Sequence, residues 1–146
     1  MFIIYFLLWT LILYVVHRAV HNLPYLKDIH KEHHRYVVRS KESGIALRHF
    51  FLIHKSKDYT IDLWITEVVP TILFSVITGQ LWILAVYYIW AALFQTSTKY
   101  DSNFDVFPIT WGNWTLLHYR YNTKNFGSVF SLWDRLFKTN KGINQL

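Results

Sequence analysis

The chain alternates between long apolar runs and short basic ones. Residues 1–16, MFIIYFLLWTLILYVV, contain no charged side chain. As a helix they extend about 24 Å, short of a hydrocarbon core of roughly 30 Å. Continuing to Val20 closes the gap, so residues 1–21 read as one transmembrane helix with His17 and His21 at the membrane edge. Asn22 and Pro24 then interrupt it, because proline lacks the N–H that a helix interior needs. Residues 25–60 are polar, basic and rich in histidine. A helix through YLKDIHKEHHRYVV is expected there, broken near SKESG, where Gly44 supplies a turn. Residues 63–95 are apolar again and divided at Gly79-Gln80. The basic segments on either side must face the same compartment, which requires an even number of crossings, so this span reads as a hairpin. Pro70 should kink its first arm, and Glu67 should face protein or the interface. In the tail, residues 99–146, Phe126, Phe130, Trp133 and Phe137 recur at steps of four, three and four. That is one face of an amphipathic helix, which could lie on the membrane or cover the histidines. The expected fold is all-α: a single-domain integral membrane bundle with about three transmembrane segments and a cytoplasmic-facing, histidine-rich helical cap.

The charges sharpen this picture. A net charge of +6 would suit a nucleic-acid partner, but the cations are segregated. Nine of the 15 Lys and Arg lie between Arg18 and Lys57 and six between Lys99 and Lys141, with none in the 41 residues from Asp58 to Thr98. Such segregation argues against nucleic acid and for a membrane protein whose cation-rich segments face the cytoplasm. Aromatic residues at 19% suit rings placed at a lipid interface. The absence of cysteine excludes disulfides, thiolate-bound zinc and iron–sulfur clusters. The first segment has neither a basic start nor a small-x-small cleavage site, so it reads as a retained anchor.

The stretch VVHRAVHNLPYLKDIHKEHHRYVV places five histidines in 18 residues. His17 and His21, four apart, share one side of a helix; His30, His33 and His34 do the same at spacings of three and four. Neutral imidazole is the usual ligand for zinc, copper, iron and nickel. Two such groups facing each other could hold one or two ions, an all-nitrogen version of the Glu-x-x-His arrangement in di-iron bundles. A solitary histidine near a membrane is ordinarily a polar group at a wet surface, and His49 is read that way. Five together without a metal gain no packing and repel whenever they protonate. Asp28 and Glu32 could accept hydrogen bonds from the outer ring nitrogens of the ligands, or could simply be solvated partners of Lys27 and Lys31.

HRAVHNLPYLKDIHKEHH resembles the first two histidine boxes, H-x-x-x-H and H-x-x-H-H, of the fatty acid hydroxylase/sterol desaturase superfamily. Pro24, Lys31 and the eight-residue gap also match. His54, in LIHKSKDYTIDL, resembles the lone histidine that precedes that family's second hairpin. NFGSVFSLWDRLFKT, Asn125 to Thr139, is similar to its closing segment. The resemblance implies a membrane-embedded di-iron oxygenase that uses O2 and outside electrons to hydroxylate or desaturate a lipid or sterol. It implies electrons from cytochrome b5 and its NADH-dependent reductase. It also implies an endoplasmic reticulum setting, although a bacterial inner membrane satisfies the same sequence physics. The implied ligands are His17, His21, His30, His33, His34 and His118.

The sequence departs from the family at the third box. Where H-x-x-H-H is expected, the chain reads HYRYN: His118 remains, and Tyr121 and Asn122 occupy the two other ligand positions. Tyr121, Asn122 and His54 are therefore possible additional ligands. A non-catalytic or single-metal relative, holding zinc or one iron, is the competing reading. A b-type haem protein is a weaker third, because adjacent His33 and His34 have no role in axial ligation.

Overall fold

The computed structural model describes residues 1–40, 45–94, 108–110 and 113–141. The described residues are helical, with one isolated antiparallel bridge between Ile109 and Phe130. Helix α1 spans Phe2–Val20. Its end turns tightly, with the amides of Asn22 and Leu23 both donating to the Ala19 carbonyl, at 2.9 and 3.0 Å. Pro24 then opens α2, Pro24–Ser40, at the one helical position where its missing N–H costs nothing. The Gly44 turn expected after it lies outside the described residues. A short 3-10 turn, Leu47–Phe51, leads to α3, Lys57–Thr78. The Ser56 hydroxyl caps α3 by accepting from the Tyr59 amide at 3.3 Å.

Helix α3 starts earlier than its apolar run because this cap sits ahead of it. Its irregularity also comes before Pro70: residues Trp64–Val68 form a π turn. Pro70 has no N–H to bond to the Thr66 carbonyl, and the wider turn accommodates that gap. The extra residue points three consecutive side chains, Thr66, Glu67 and Val68, inward. Glu67 faces protein as expected and accepts from the Tyr87 hydroxyl at 3.2 Å. Gly79, at φ 69°, ends α3 in the left-handed region, and α4, Trp82–Leu93, returns along it.

Helices α1 and α3 are long and apolar enough to cross a membrane; α4 is apolar but shorter. They pack through Trp9, Leu13, Leu63, Phe74, Ile83 and Tyr87, and the Trp9 indole donates to Thr71 Oγ1 at 2.9 Å. Helix α5 spans Asn113–Arg120. Among the described residues from Phe126 onward only α6, Leu132–Leu136, is helical, although an amphipathic helix is expected there. The aromatic face nevertheless reaches α1: Phe126 and Phe137 lie on Tyr14, and Phe130 lies on Phe6. The Trp133 indole donates to Thr10 Oγ1 at 3.0 Å.

The tail is not a longer helix because a carboxylate closes it on itself. Asp134, fully buried, accepts from the amides of Phe126 and Gly127 at 2.7 and 2.8 Å, from Thr139 Oγ1 at 2.8 Å and from the Trp114 indole at 3.2 Å. Position 127 has to be glycine, since a Cβ there would stand 2.6 Å from the Phe130 carbonyl oxygen and 2.9 Å from Asp134 Oδ2.

Candidate metal centre

Three elements bring imidazoles to one point. The last turn of α1 carries His17, with His21 just beyond it; α2 carries His30, His33 and His34; α5 carries His118. One ring nitrogen from each of His17, His21, His30, His34 and His118 lies within 4.8 Å of all the others. The Nε2 atoms of His21 and His30 are 2.9 Å apart, and those of His17 and His30, and of His21 and His118, are 3.3 Å apart.

The opposite edges of His17, His30, His33, His34 and His118 each meet an oxygen acceptor. His17 Nδ1 donates to the Phe126 carbonyl at 2.7 Å, and His118 Nδ1 to the Lys124 carbonyl at 2.6 Å. His30 and His33 donate through Nδ1 to the two oxygens of Asp62, at 2.8 and 2.6 Å. His34 Nδ1 donates to Asn122 Oδ1 at 2.9 Å. Each contact places a proton on Nδ1, and in a neutral ring Nε2 is then a bare lone pair. Burial, reinforced by the neighbouring His30, pushes His21 down to about 3. Burial first and the neighbouring imidazoles second hold His34 and His118 far below the usual histidine range. His21, His34 and His118 are therefore neutral at physiological pH, the form that binds metals.

This donor set fits a transition ion. With bonds of about 2.0–2.1 Å, two nitrogens on one ion stand about 2.9 Å apart at a right angle and about 3.4 Å apart at a tetrahedral angle. The closest Nε2 pairs fall within that interval. His34 Nε2 is buried and makes no hydrogen bond, as expected of an atom reserved for an ion.

The other sequence candidates lie elsewhere. Asp28 and Glu32 are exposed on the far side of α2, where Glu32 pairs with Arg35; neither backs the ligands. Asp62 does so instead, and sequence reasoning missed it because it sits between the histidine-rich segment and the apolar span, where no spacing marks the direction of its side chain. Asn122 reaches the site on the Nδ1 side of His34, as a hydrogen-bond acceptor. Tyr121 turns away beneath Lys141, whose Nζ is 3.5 Å from its ring centre. His54 stacks on Tyr59 at 3.7 Å, outside the group of five. His49, expected at a wet surface, is buried and 5.0 Å from His54.

Two cavities flank the cluster. The smaller, about 30 Å³, holds roughly one water and lies among His17, His30, His33, His118, Asp62 and Glu67. The larger, about 460 Å³, has His21, His30 and His34 on its wall with Arg18, Lys27 and Lys31 around them.

A helical bundle with a buried imidazole cluster at the end of two membrane-length helices is the architecture of a membrane protein with a candidate metal centre. The family model named Fatty acid hydroxylase matches residues 2–139, and the chain belongs to that family, within the fatty acid hydroxylase/sterol desaturase superfamily. It is similar to "Fatty acid hydroxylase ahd1" of Mycosarcoma maydis, at 29% identity over 131 residues. That match covers 88% of this chain and 30% of the relative, so the chain spans less than a third of that protein's length. No solved structure matches the chain.

Proposed function

We propose that the chain is a membrane-bound, iron-dependent hydroxylase acting on a C–H bond of a lipid or sterol. One observation carries this reading. Five imidazoles each bring one ring nitrogen within 4.8 Å of all the others, and three Nε2 pairs stand 2.9, 3.3 and 3.3 Å apart, the spacing of nitrogens that share one ion. When bound, iron would supply the activation of O2 and the oxidation of the C–H bond. The chain's own residues do the rest. His17, His21, His30, His34 and His118 would hold the ion. Asp62, Asn122 and the carbonyls of Lys124 and Phe126 keep the rings aimed. Exposed Ile12 and Val15 on α1 and Val69 and Ile72 on α3 offer apolar side chains for a lipid tail to contact.

The cationic rim of Arg18, Lys27 and Lys31 supports a site that opens toward the cytoplasm and meets an external electron donor there, such as cytochrome b5 with its NADH-dependent reductase. An endoplasmic reticulum or bacterial inner membrane fits that orientation. A second reading, a zinc or single-metal protein without turnover, is favoured by Tyr121 and Asn122, which put no imidazole where the family's third box has two.

The test uses the full chain in detergent, loaded with Fe(II) and given a chemical reductant, 18O2 and a membrane lipid extract. The expected result is a lipid product carrying one 18O atom. That product and the bound metal should both be lost in His30→Ala and His34→Ala, while both variants still insert into membranes. Bound metal with no labelled product would overturn the hydroxylase and support the second reading.

A further inference from the structure

The larger cavity lies against the candidate ligands and is walled in part by cations. Arg18 reaches it from the end of α1, and Lys27 and Lys31 from α2, beside His21, His30 and His34. Resting on the lipid-oxidising reading above, we infer that this cavity takes the anionic headgroup, a carboxylate or phosphate, of the lipid on which the chain acts. The uncharged hydroxyl of a sterol would make no use of those charges.

Cations are common in any segment that flanks a membrane helix; here they converge. Lys27, His30, Lys31 and His34 recur at steps of three, one and three, so the two ammonium groups share a face of α2 with two of the imidazoles. Like charges four apart on a helix repel, and an anion seated between them relieves that repulsion. Arg18 joins them from α1. Its guanidinium donates to the Tyr14 hydroxyl at 3.4 Å, and that buried hydroxyl pairs with Thr139 Oγ1 at 3.0 Å. A guanidinium held by one N–H keeps the others for an oxyanion. Asn122 adds a neutral donor to the wall: its Oδ1 is taken by His34, which leaves its amino group to donate.

The other end of such a lipid is provided for as well. Ile4, Leu8, Val15 and Arg18 lie at steps of four, seven and three along α1, which is one stripe of the helix. Its three apolar members are 61%, 46% and 53% exposed. The stripe is therefore greasy along its length and cationic at its last turn. That is the polarity of an anionic amphiphile, with its chain along α1 and its head in the cavity. At about 460 Å³ the cavity has room for a headgroup, and Phe126 on its wall suits the first carbons. The same cations also attract an acidic protein from a distance, but that role does not require them to be gathered on one wall.

The experiment measures equilibrium binding to the full chain in a neutral detergent, with octanoate, octyl phosphate and methyl octanoate as probes and inorganic phosphate as competitor. Both anionic probes are expected to bind about 10-fold or more tightly than the ester, with a preference that shrinks as salt is raised. The preference should vanish in Arg18→Gln and in the double variant Lys27→Gln with Lys31→Gln, all three being exposed side chains. Inorganic phosphate should displace the probes only at far higher concentration. Equal binding of acid and ester in wild type, or a preference that persists in both variants, would overturn the inference. Displacement by phosphate at matching concentration would make this a site for a free anion and overturn it too. The wild-type comparison decides even if a variant fails to fold. A chain that keeps the preference but yields no labelled product loses the hydroxylase reading alone; labelled product without the preference removes only this inference.

Discussion

Asp62 and Asp134 are both buried carboxylates close to the imidazole cluster, yet their partners differ in kind. Asp62 receives two imidazole N–H groups and so governs which way two rings face. Asp134 receives two main-chain amides, an indole and a hydroxyl, and so governs the path of the tail. Burial pushes Asp134 upward from the ordinary carboxylate range while those donors pull it back. The tail that Asp134 shapes supplies the carbonyls of Lys124 and Phe126, which aim His118 and His17. One aspartate acts on the ligands directly and the other through backbone. The cluster therefore depends on chain geometry far from any histidine.

Substitutions can separate the two roles. Asp134→Ala should have the largest effect, because it leaves several buried donors unpaired at about 1–3 kcal/mol each. Thermal unfolding in detergent should show a loss of about 3–5 kcal/mol together with loss of bound metal; a stable, metal-replete variant would refute the clamp. Gly127→Ala, which drives a Cβ against the Phe130 carbonyl, should cost about 1–3 kcal/mol. Asp62→Asn should leave the unfolding transition nearly in place while weakening metal binding by about 10–100-fold. Equal losses of fold and metal in that variant would erase the distinction between the two aspartates.

A pH series gives a smaller effect with a defined sign. Folded His21 stays neutral down to about 3, and His34 and His118 are lowered as well. The unfolded chain takes up protons below about 6.5. Stability is therefore fully present above that value and drains away as pH falls toward the folded values. The melting temperature of the metal-free chain should be flat from pH 8 to 7 and decline below 6.5. Asn122→Ala, which removes an exposed acceptor from one ring only, should weaken metal binding by about 10-fold or less.

Much of the arrangement was legible in the sequence because it rests on local spacing. The two histidine groups and the turn at Gly79 follow from helical or near-neighbour geometry. Asp28 and Glu32 could have been set aside on the same ground, since each lies two residues from His30 and so faces the far side of α2. Asp62 was not legible. Its inward direction depends on how α3 packs against α2, and nothing in TIDL distinguishes a carboxylate facing imidazoles from one facing water. The tail misled for a related reason: its aromatic period is helical, but contacts from Asp134 to amides seven and eight residues earlier override it.

The clamp around Asp134 also bears on how related sequences should be judged. A copy shortened to end at Trp133 would keep every histidine and satisfy any inspection for ligand residues. It would still lack the carboxylate that folds the strand behind two of those rings, and should emerge from purification empty of metal. Counting imidazoles is thus an incomplete criterion of competence in chains of this kind; the aspartate near the far end has to be counted with them.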